Sequence, residues 1–365
     1  MTLSLYFARR FLQTVALVFA GFFAVLFLID MIEQVRRFAQ AGIGLSETAE
    51  LALFNVPASV YRILPLIVIL AAIALFLSLA RSSELVVVRA AGRSALRMLI
   101  APVLVALVLG GFAVAVLNPL TAATSKRYET LSARYKLGED NVLSVTKEGL
   151  WLRQGGEDGQ TVIHALRSNL DGTVLFDTTF IAFSPQSGPV SRIDAARAEL
   201  TAGAWLLTDA KEWPLSGDSN PEKGAVLRGE MRLASDLTAD QIRDSFGTPE
   251  TIPIWQLPGF ISALERAGFT ARRHQVWLQM ELALPLFLAT MVLVAAGFTM
   301  RHARSGRTGT MVLLAVAAGF AIFLLRNFAQ VLGENGQLPI LLAAWSPPIA
   351  AFLLATSLIL HLEEG

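Results

Sequence analysis

The sequence predicts an α-helical membrane protein with six transmembrane helices and an inserted all-β domain. Two observations lead to this prediction. Three long apolar segments precede an uninterrupted polar stretch from about Leu120 to Gln275, and three more apolar segments follow it. The composition agrees, because 54% of the 365 residues are hydrophobic and only 16% are charged, whereas a soluble domain needs a charged surface. These features exclude most classes of soluble enzyme.

Each apolar segment is long enough to cross a bilayer, which takes about 20 apolar helical residues. The six predicted spans are Phe11 to Ile29, Leu51 to Leu79, Met98 to Leu117, Val276 to Met300, Met311 to Leu332 and Leu338 to Leu360. The first is too long and too poorly terminated for a cleaved signal peptide, so it is predicted to be an anchor. The layout predicts three regions: residues 1–119 with three helices, 120–275 with the β-domain, and 276–365 with three helices.

The distribution of arginines predicts the orientation in the membrane, because short loops rich in Lys and Arg face the cytoplasm. With both termini inside, the cytoplasmic arginines are those at positions 9, 10, 81, 89, 93, 97, 301, 304 and 307. The outer short loops contain only Arg36 and Arg37. The β-domain is therefore predicted to be extracytoplasmic, which in a bacterium means periplasmic.

Short runs of β-branched and aromatic residues, separated by Gly, Asp, Asn and Pro, predict a sandwich or jelly roll in the polar stretch. These runs are Leu150 to Arg153, Thr161 to Leu166, Thr173 to Phe183 and Ala204 to Leu207. Pro258 to Ala267 is predicted to be a short helix that leads back to the membrane. Periodicity alone leaves open an inert extracytoplasmic domain with an ordinary core.

The sequence lacks the motifs of nucleotide and metal chemistry. It has no G-x-x-x-x-G-K-[ST] loop, no H-E-x-x-H helix and no G-x-S-x-G elbow. The four histidines are scattered, and there is no cysteine. We predict no catalytic residue, no metal site and no cofactor bound by this chain. Energy-requiring transport would then need ATP bound to a partner chain.

The segment 81–93 between the second and third spans is a candidate for partner contact. A serine at 82 or 83 can cap a short helix, Glu84 suits its positive N-terminal end, and Gly92 can close it. Two interpretations stay open, a connector at the membrane surface and a coupling helix that inserts into a partner ATPase. The coupling interpretation assigns the contact to Glu84, Arg81, Leu85, Val88 and Arg89.

Ionisable residues near the outer ends of the spans form a second candidate site, because such residues inside a membrane usually face a polar pathway. The candidates for binding lipid phosphate are Arg36, Arg37, Arg62 and Arg326. They are predicted to lie at the depth of the outer headgroups, where guanidinium groups bind phosphate bidentately. The alternative is charge neutralisation, in which Arg62 or Arg326 pairs with Glu281 or Asp30.

Over nearly its whole length the sequence resembles the LptF/LptG permease family of the bacterial lipopolysaccharide exporter. The resemblance rests on the six-span layout, the segment Arg81 to Gly92, the segment Glu148-Gly-Leu-Trp151, and the stretch Leu338 to Pro347. The last two segments look more like the LptG branch of the family. An LptF-type subunit is the alternative within the family.

The resemblance implies a permease subunit of an ABC transporter in the bacterial inner membrane. Such a subunit extracts lipopolysaccharide from the outer leaflet and passes it, through a periplasmic β-jellyroll, to a bridge toward the outer membrane. The implied partners are an LptF-type permease in a heterodimer, an LptB-type ATPase dimer that binds ATP and Mg, an LptC-type protein, lipopolysaccharide and membrane lipids. No nucleic acid is expected.

The resemblance also implies roles for single residues. Glu84 falls on the family's coupling-helix carboxylate, and Arg36 and Arg37 match a basic pair that faces lipopolysaccharide phosphates. Asp30 stands where some relatives carry a lysine. This departure makes Arg62 or Arg326 further candidates for the phosphate contact.

A different class of function is a membrane-embedded enzyme that modifies an envelope lipid, with Glu281 or Asp30 as acid or base. It requires nucleophiles or metal ligands clustered at one membrane face, and the sequence shows no such cluster. A sensor or scaffold is a third class. It requires a cytoplasmic signalling domain, yet the predicted inner loops and tails are short.

Overall fold

A computed structural model describes residues 2–39, 43–84, 87, 94–137, 150–156, 159–169, 172–184, 188–201, 203–215, 220–235, 237, 248–266, 270–300 and 308–364. The chain divides into two compact units. One consists of Met1–Tyr128, Pro249–Ile261 and Ala271–Gly365, and the other of Glu129–Thr248 and Ser262–Thr270. The first is called the helical unit here and the second the sheet unit.

Five described helices precede the sheet, and one of them begins directly after a single π-helical turn. They are α1 (Thr2–Arg37), α2 (Leu45–Arg62), α3 (Leu64–Arg81), α4 (Ala95–Phe112), the π-turn Ala113–Leu117 and α5 (Asn118–Leu137). The described helices after the sheet are α6 (Leu257–Arg266), α7 (Arg272–Leu282), α8 (Leu284–Thr299), α9 (Thr308–Glu334) and α10 (Ile340–Glu364). The predicted short helix near Pro258 is therefore present as α6.

The described residues contain five helices long and apolar enough to cross a membrane, and α7 with α8 makes a sixth span bent by 49°. The prediction of six spans is confirmed when this bent pair is counted as one span. Of the predicted second span, Leu51 to Leu79, only the part in α3 (Leu64–Arg81) is long and apolar enough to cross, because the helix is interrupted at Ile63. The bend lies just before Pro285, which occupies the first turn of α8. Proline has no amide hydrogen and its ring clashes with the preceding turn, so the hydrogen-bond ladder of α7 ends there.

Helix α8 lies at the centre of the helical unit. Its residues are buried on nearly all sides, which is the pattern of a helix enclosed by other helices. Residues of α3, α4 and the first part of α1 pack in the same apolar cluster. Burial differs widely between the helices. In the most apolar 18-residue stretch of each helix, 61% of the residues are buried in α3 but only 6% in α1. Most of α1 therefore presents apolar side chains to lipid or to another subunit.

The sheet unit contains one antiparallel sheet of six described strands in chain order. The strands are β1 (Leu150–Gly156), β2 (Gly159–Ser168), β3 (Val174–Ser184), β4 (Gly188–Thr201), β5 (Ala204–Pro214) and β6 (Val226–Ala234). The all-β character of the inserted domain is confirmed. Each described strand pairs with the next one along the chain, so the order is up-and-down. A complete jelly roll instead contains two Greek keys in two sheets.

The core of the sheet lies on one face. Its largest buried side chains are Trp205 and Phe180, whose rings meet edge to face at 6.1 Å between centroids. Ile163, Leu175 and Leu207 are buried beside them. The four runs predicted as strands fall in β1, β2, β3 and β5, except that the third run begins one residue early, at Thr173. The predicted boundaries at 119/120 and 275/276 fall within helices α5 and α7.

Candidate functional site

The turn after α3 contains a charged cluster that joins it to α1. Arg10 donates from Nη1 to Oε1 of Glu84 at 2.7 Å, and from Nη2 to Oγ of Ser78 at 2.8 Å. Tyr6 donates its hydroxyl to Oε2 of Glu84 at 3.0 Å. Ser82 donates to Oε1 of Glu84 at 2.7 Å. We call these five residues the α1 clamp.

Local sequence explains how the clamp forms. Tyr6 and Arg10 are four residues apart, so they lie one above the other on one face of α1, and the guanidinium sits 5.7 Å from the centroid of the Tyr6 ring. The neighbouring face of α1 is fixed by buried Phe7 and Phe11. Ser83 has φ +58°, a left-handed conformation that ends α3 and directs Glu84 back toward α1.

The clamp stabilises the ionised form of Glu84. Partial burial raises the pKa of its carboxyl, but the hydrogen bonds from Arg10, Ser82 and Tyr6 outweigh this and leave the pKa below its usual value. Glu84 is therefore a carboxylate at neutral pH. Because the Arg10 and Glu84 side chains are 28% and 33% exposed, the pair is only partly shielded from solvent.

The other predicted coupling residues divide between described and undescribed parts of the chain. Arg81 is exposed at the end of α3. Leu85, Val88 and Arg89 lie outside the described residues. Contact of Glu84 with an ATPase stays a prediction. The structure adds that the carboxylate already accepts hydrogen bonds from three side chains of this chain, those of Tyr6, Arg10 and Ser82.

The predicted phosphate-binding pair lies at the other end of α1. Arg36 pairs with Glu33 at 2.9 Å, and its side chain is 78% exposed. Arg37 donates to the hydroxyl of Tyr128 at 3.1 Å, and Gln34 donates to the same hydroxyl at 3.0 Å. The end of α1 is thereby joined to α5, while two guanidinium groups remain at the surface.

Asp30 is engaged by amide groups. Asn55 of α2 donates to its Oδ1 at 2.7 Å, and Gln34 lies 3.4 Å from both carboxylate oxygens. The predicted alternative, an ion pair of Asp30 with Arg62 or Arg326, is not found among the described residues. Arg62 is exposed at the end of α2, and among the described residues no ion pair to it is found.

A polar cluster lies buried where several helices are interrupted, and we call it the Glu281 cluster. Glu281, at the end of α7, is 1% exposed. Its Oε2 accepts hydrogen bonds from the hydroxyl of Tyr61 and from Nδ2 of Asn118, the latter at 3.2 Å. Arg326 of α9 interacts electrostatically with both Glu281 and Tyr61, and its guanidinium lies 5.2 Å from the centroid of the Phe287 ring.

The cluster coincides with three breaks in helical regularity. Tyr61 lies just before the α2–α3 break, Asn118 follows the π-turn, and Glu281 precedes the α7–α8 bend. The carbonyl of Ala115 in the π-turn accepts a hydrogen bond from the Trp255 indole at 3.2 Å. Nearby, Oδ1 of Asn118 accepts from the backbone amide of Ile254 at 2.9 Å. Irregular backbone is tolerated at membrane depth only with such partners.

These contacts divide the four arginines predicted to bind phosphate into two groups. Arg36, Arg37 and Arg62 are exposed, whereas Arg326 faces Glu281 inside the helical unit. For Arg326 the arrangement supports the neutralisation alternative. Buried Glu281 is also inaccessible to a substrate in this conformation, which removes support for its use as a general acid or base.

Comparison with known proteins identifies the relatives of this chain. The family model described as "Lipopolysaccharide export system permease LptF/LptG" matches residues 5–361. The chain belongs to this family. The match includes all six spans and the sheet, so membership explains the whole layout and places the chain among the permeases of the lipopolysaccharide export system.

Two relatives of this family show the extent of the similarity. The lipopolysaccharide export system permease protein LptG of Escherichia coli (strain K12) is 23% identical over 340 residues, covering 92% of this chain and 91% of the relative. The protein of the same name from Haemophilus influenzae is 22% identical over 329 residues, covering 87% of each chain.

Several residues of both clusters escape prediction from the sequence. Sequence patterns present Arg10 only as a marker of orientation and do not select Tyr61 or Asn118. They also do not select Tyr128, which contacts Arg37 outside both clusters. One signal was available: an ionisable residue such as Glu281 within an apolar span requires polar partners on other helices. Asn118, the polar residue that directly follows the third apolar run, is such a partner.

Proposed function

We propose that this chain is the LptG-type transmembrane subunit of an ABC transporter that extracts lipopolysaccharide from the outer leaflet of the bacterial inner membrane. The observation that supports this most is the family match over residues 5–361. Both relatives described above are named LptG, which favours that branch over LptF. An LptF-type subunit forms the other half of the bundle, and the sheet unit lies in the periplasm and passes lipid to an LptC-type protein.

The energy comes from another chain in this proposal. Withdrawing a lipid from a bilayer costs about 0.8 kcal/mol for each CH₂ group that leaves the apolar environment. A lipid with several acyl chains therefore needs both a sheltered cavity and external work. An LptB-type ATPase dimer that binds ATP and Mg supplies the work, and the turn that contains Glu84 receives it. This chain itself catalyses no reaction.

The exposed arginines at the outer end of α1 suit the polar part of such a lipid. Arg36 and Arg37 are consecutive residues at the exposed end of α1, and guanidinium groups bind phosphate through two parallel hydrogen bonds. Their partners among the described residues are Glu33, which forms an ion pair with Arg36, and the hydroxyl of Tyr128, to which Arg37 donates. Because that ion pair is exposed, it is held weakly and a phosphate group can replace it.

Co-purification from native membranes tests the assignment directly. The full chain, carrying an affinity tag, is expected to be recovered with a soluble ATPase and a second six-span subunit, and the complex is expected to release lipopolysaccharide when ATP is added. A stable protein recovered alone, with no ATPase, would contradict the proposal. Recovery with an ATPase and a second LptG-type chain would contradict the heterodimer.

Replacing Glu84 with alanine is expected to weaken coupling to the ATPase. The variant loses a carboxylate that partly faces solvent, and we expect about a tenfold loss, either in ATPase association or in lipopolysaccharide released per ATP hydrolysed. Quantitative co-purification and a release assay measure the two effects. Glu50→Ala removes an exposed glutamate of α2 and serves as the control. Unchanged assembly together with unchanged release would refute the coupling role.

Removing the charges of Arg36 and Arg37 together is expected to reduce lipid capture. A photoreactive residue at Ile32, which is 68% exposed and one turn before Arg36, reports lipopolysaccharide nearby. Crosslinking in the Arg36→Gln/Arg37→Gln variant is expected to fall on the order of tenfold, because each basic side chain near anionic headgroups strengthens binding. The control variant, Arg9→Gln/Arg97→Gln, loses the same charge elsewhere. Equal crosslinking in all three proteins would count against a phosphate-binding role.

A further inference from the structure

Helix α1 has an unusual combination of length and exposure. It runs for 36 residues without proline, yet only 6% of its most apolar window is buried. Its first turns are held by buried Phe7, Phe11 and Val15. At 1.5 Å per residue, about 39 Å of continuous helix separates Arg10 from Arg36. A displacement imposed near one end of such a helix appears at the other end.

Both ends of α1 make polar contacts with other parts of the helical unit. At the outer end, Asp30 binds Asn55 of α2, and Arg37 binds Tyr128 of α5. At the opposite end, Arg10 contacts Ser78 within α3 and Glu84 beyond it. Arg10 thus spans the junction between a transmembrane helix and the turn that follows it. A planar guanidinium can hold two such partners at once, which a lysine ammonium at the same position cannot do with the same geometry.

The matched neighbour of Arg10 behaves differently. Arg9 carries the same charge one position earlier, but it is exposed, and among the described residues no hydrogen bond or ion pair of Arg9 is found. An arginine that served only to mark the cytoplasmic end of the span would need neither Glu84 nor Ser78. The contacts of Arg10 therefore point to a role other than orientation in the membrane.

We propose that Arg10 is the positioning residue that locks α1 to the Glu84 turn, so that movement of the turn is transmitted along α1 to Arg36 and Arg37. The inference rests on the proposed function, because it assumes that an ATPase moves the turn. According to this proposal, Glu84 acts on α1 through Arg10, in addition to any contact that it makes with the ATPase. Loss of Arg10 disconnects the outer arginines from the turn while leaving the turn available to the ATPase.

Distance measurement in the complete complex tests this role. Spin labels at Ile32 and Leu341, both exposed near the outer ends of their helices, report the position of α1 relative to α10. We expect the distance to change when ATP is trapped in the wild-type complex. Arg10→Ala is expected to abolish most of that change and to lower lipopolysaccharide release by about tenfold, while ATPase association changes less than about twofold.

Two further variants make the result specific. Arg9→Ala is expected to keep both the distance change and lipopolysaccharide release. Arg10→Lys is expected to retain part of each, because it keeps the positive charge but loses the planar set of guanidinium donors. A full distance change in Arg10→Ala would overturn the inference. So would a wild-type distance that does not respond to ATP, or an equal loss in Arg9→Ala.

A measurement on the purified chain separates failure of the clamp from failure of the proposed function. In a thermal double-mutant cycle with Arg10→Ala and Glu84→Ala, a real lock makes the two shifts in Tm non-additive. Additive shifts would overturn the lock whatever the transporter does. If wild-type membranes yield no ATPase, the proposed function fails, and a non-additive cycle would then still establish the lock as a structural contact.

Discussion

Replacing Gly110 with alanine is expected to destabilise the helical unit by about 1–3 kcal/mol. A Cβ atom at this position would lie 2.4 Å from Cα of Pro285 and 3.0 Å from its backbone nitrogen. These are backbone atoms, so no side-chain rotation relieves the clash, and α4 and α8 must move apart. Close contact through small residues is a main source of helix association in membranes. Thermal unfolding of the purified protein in detergent measures the loss.

The adjacent glycine supplies the control. A Cβ at Gly111 would meet nothing within 4 Å, and alanine is about 1 kcal/mol more favourable than glycine within a helix. Gly111→Ala is therefore expected to leave Tm unchanged or to raise it slightly. Equal behaviour of the two variants would show that the contact between Gly110 and Pro285 does not limit helix packing.

The six spans could be predicted because their signal is large and local. A run of about twenty apolar residues rarely has a role other than crossing a membrane. All six predicted segments are helical, although the second is divided between α2 and α3 and the fourth between α7 and α8. The bend within the fourth span is also local, since Pro285 cannot continue a hydrogen-bond ladder. The central position of α8 is different. It depends on contacts with α3, α4 and α10, which no single segment of sequence specifies.

Strand β4 shows how tertiary structure overrides local preference. Half of its 14 residues are good helix formers, namely three Ala, two Arg, one Glu and one Leu. Its inward residues are Ile193, Ala195 and Ala198, so strict alternation fails between the last two. The flanking strands have Asp177 and Asp209 in the left-handed region at that level. With the period-two pattern interrupted, hydrophobic alternation could not reveal this strand.

The candidate sites were predicted only in part, because their partners are distant in sequence. Glu84 and Glu281 could be singled out as charges in unusual places. Their hydrogen-bonding neighbours Arg10 and Asn118 lie 74 and 163 residues away. A charge near a membrane predicts that some partner exists, but helix packing selects which one. The same limit applies to Arg326, whose position on the sequence fits either a phosphate ligand or a counter-ion.

Replacing Glu281 with leucine is expected to produce the largest loss of stability among the single variants, about 3–5 kcal/mol. The substitution removes the acceptor for Tyr61 and Asn118 and leaves the guanidinium of Arg326 without its carboxylate. An uncompensated buried charge costs more than the original pair contributes. Thermal or denaturant unfolding in detergent measures the effect. Glu281→Gln keeps one carbonyl acceptor and is expected to fall between leucine and wild type.

A second substitution distinguishes loss of charge balance from loss of packing. In the double variant Glu281→Leu/Arg326→Leu no unpaired charge remains, so it is expected to be more stable than Glu281→Leu alone, although the second change also removes a buried side chain. Arg62→Leu removes an exposed arginine and is expected to change stability by less than about 0.5 kcal/mol. Additive losses in the double variant would mean that Arg326 does not depend on Glu281. In that case Arg326 would return to the set of candidate phosphate ligands, because a buried arginine without a counter-ion in its own chain requires an anion from elsewhere.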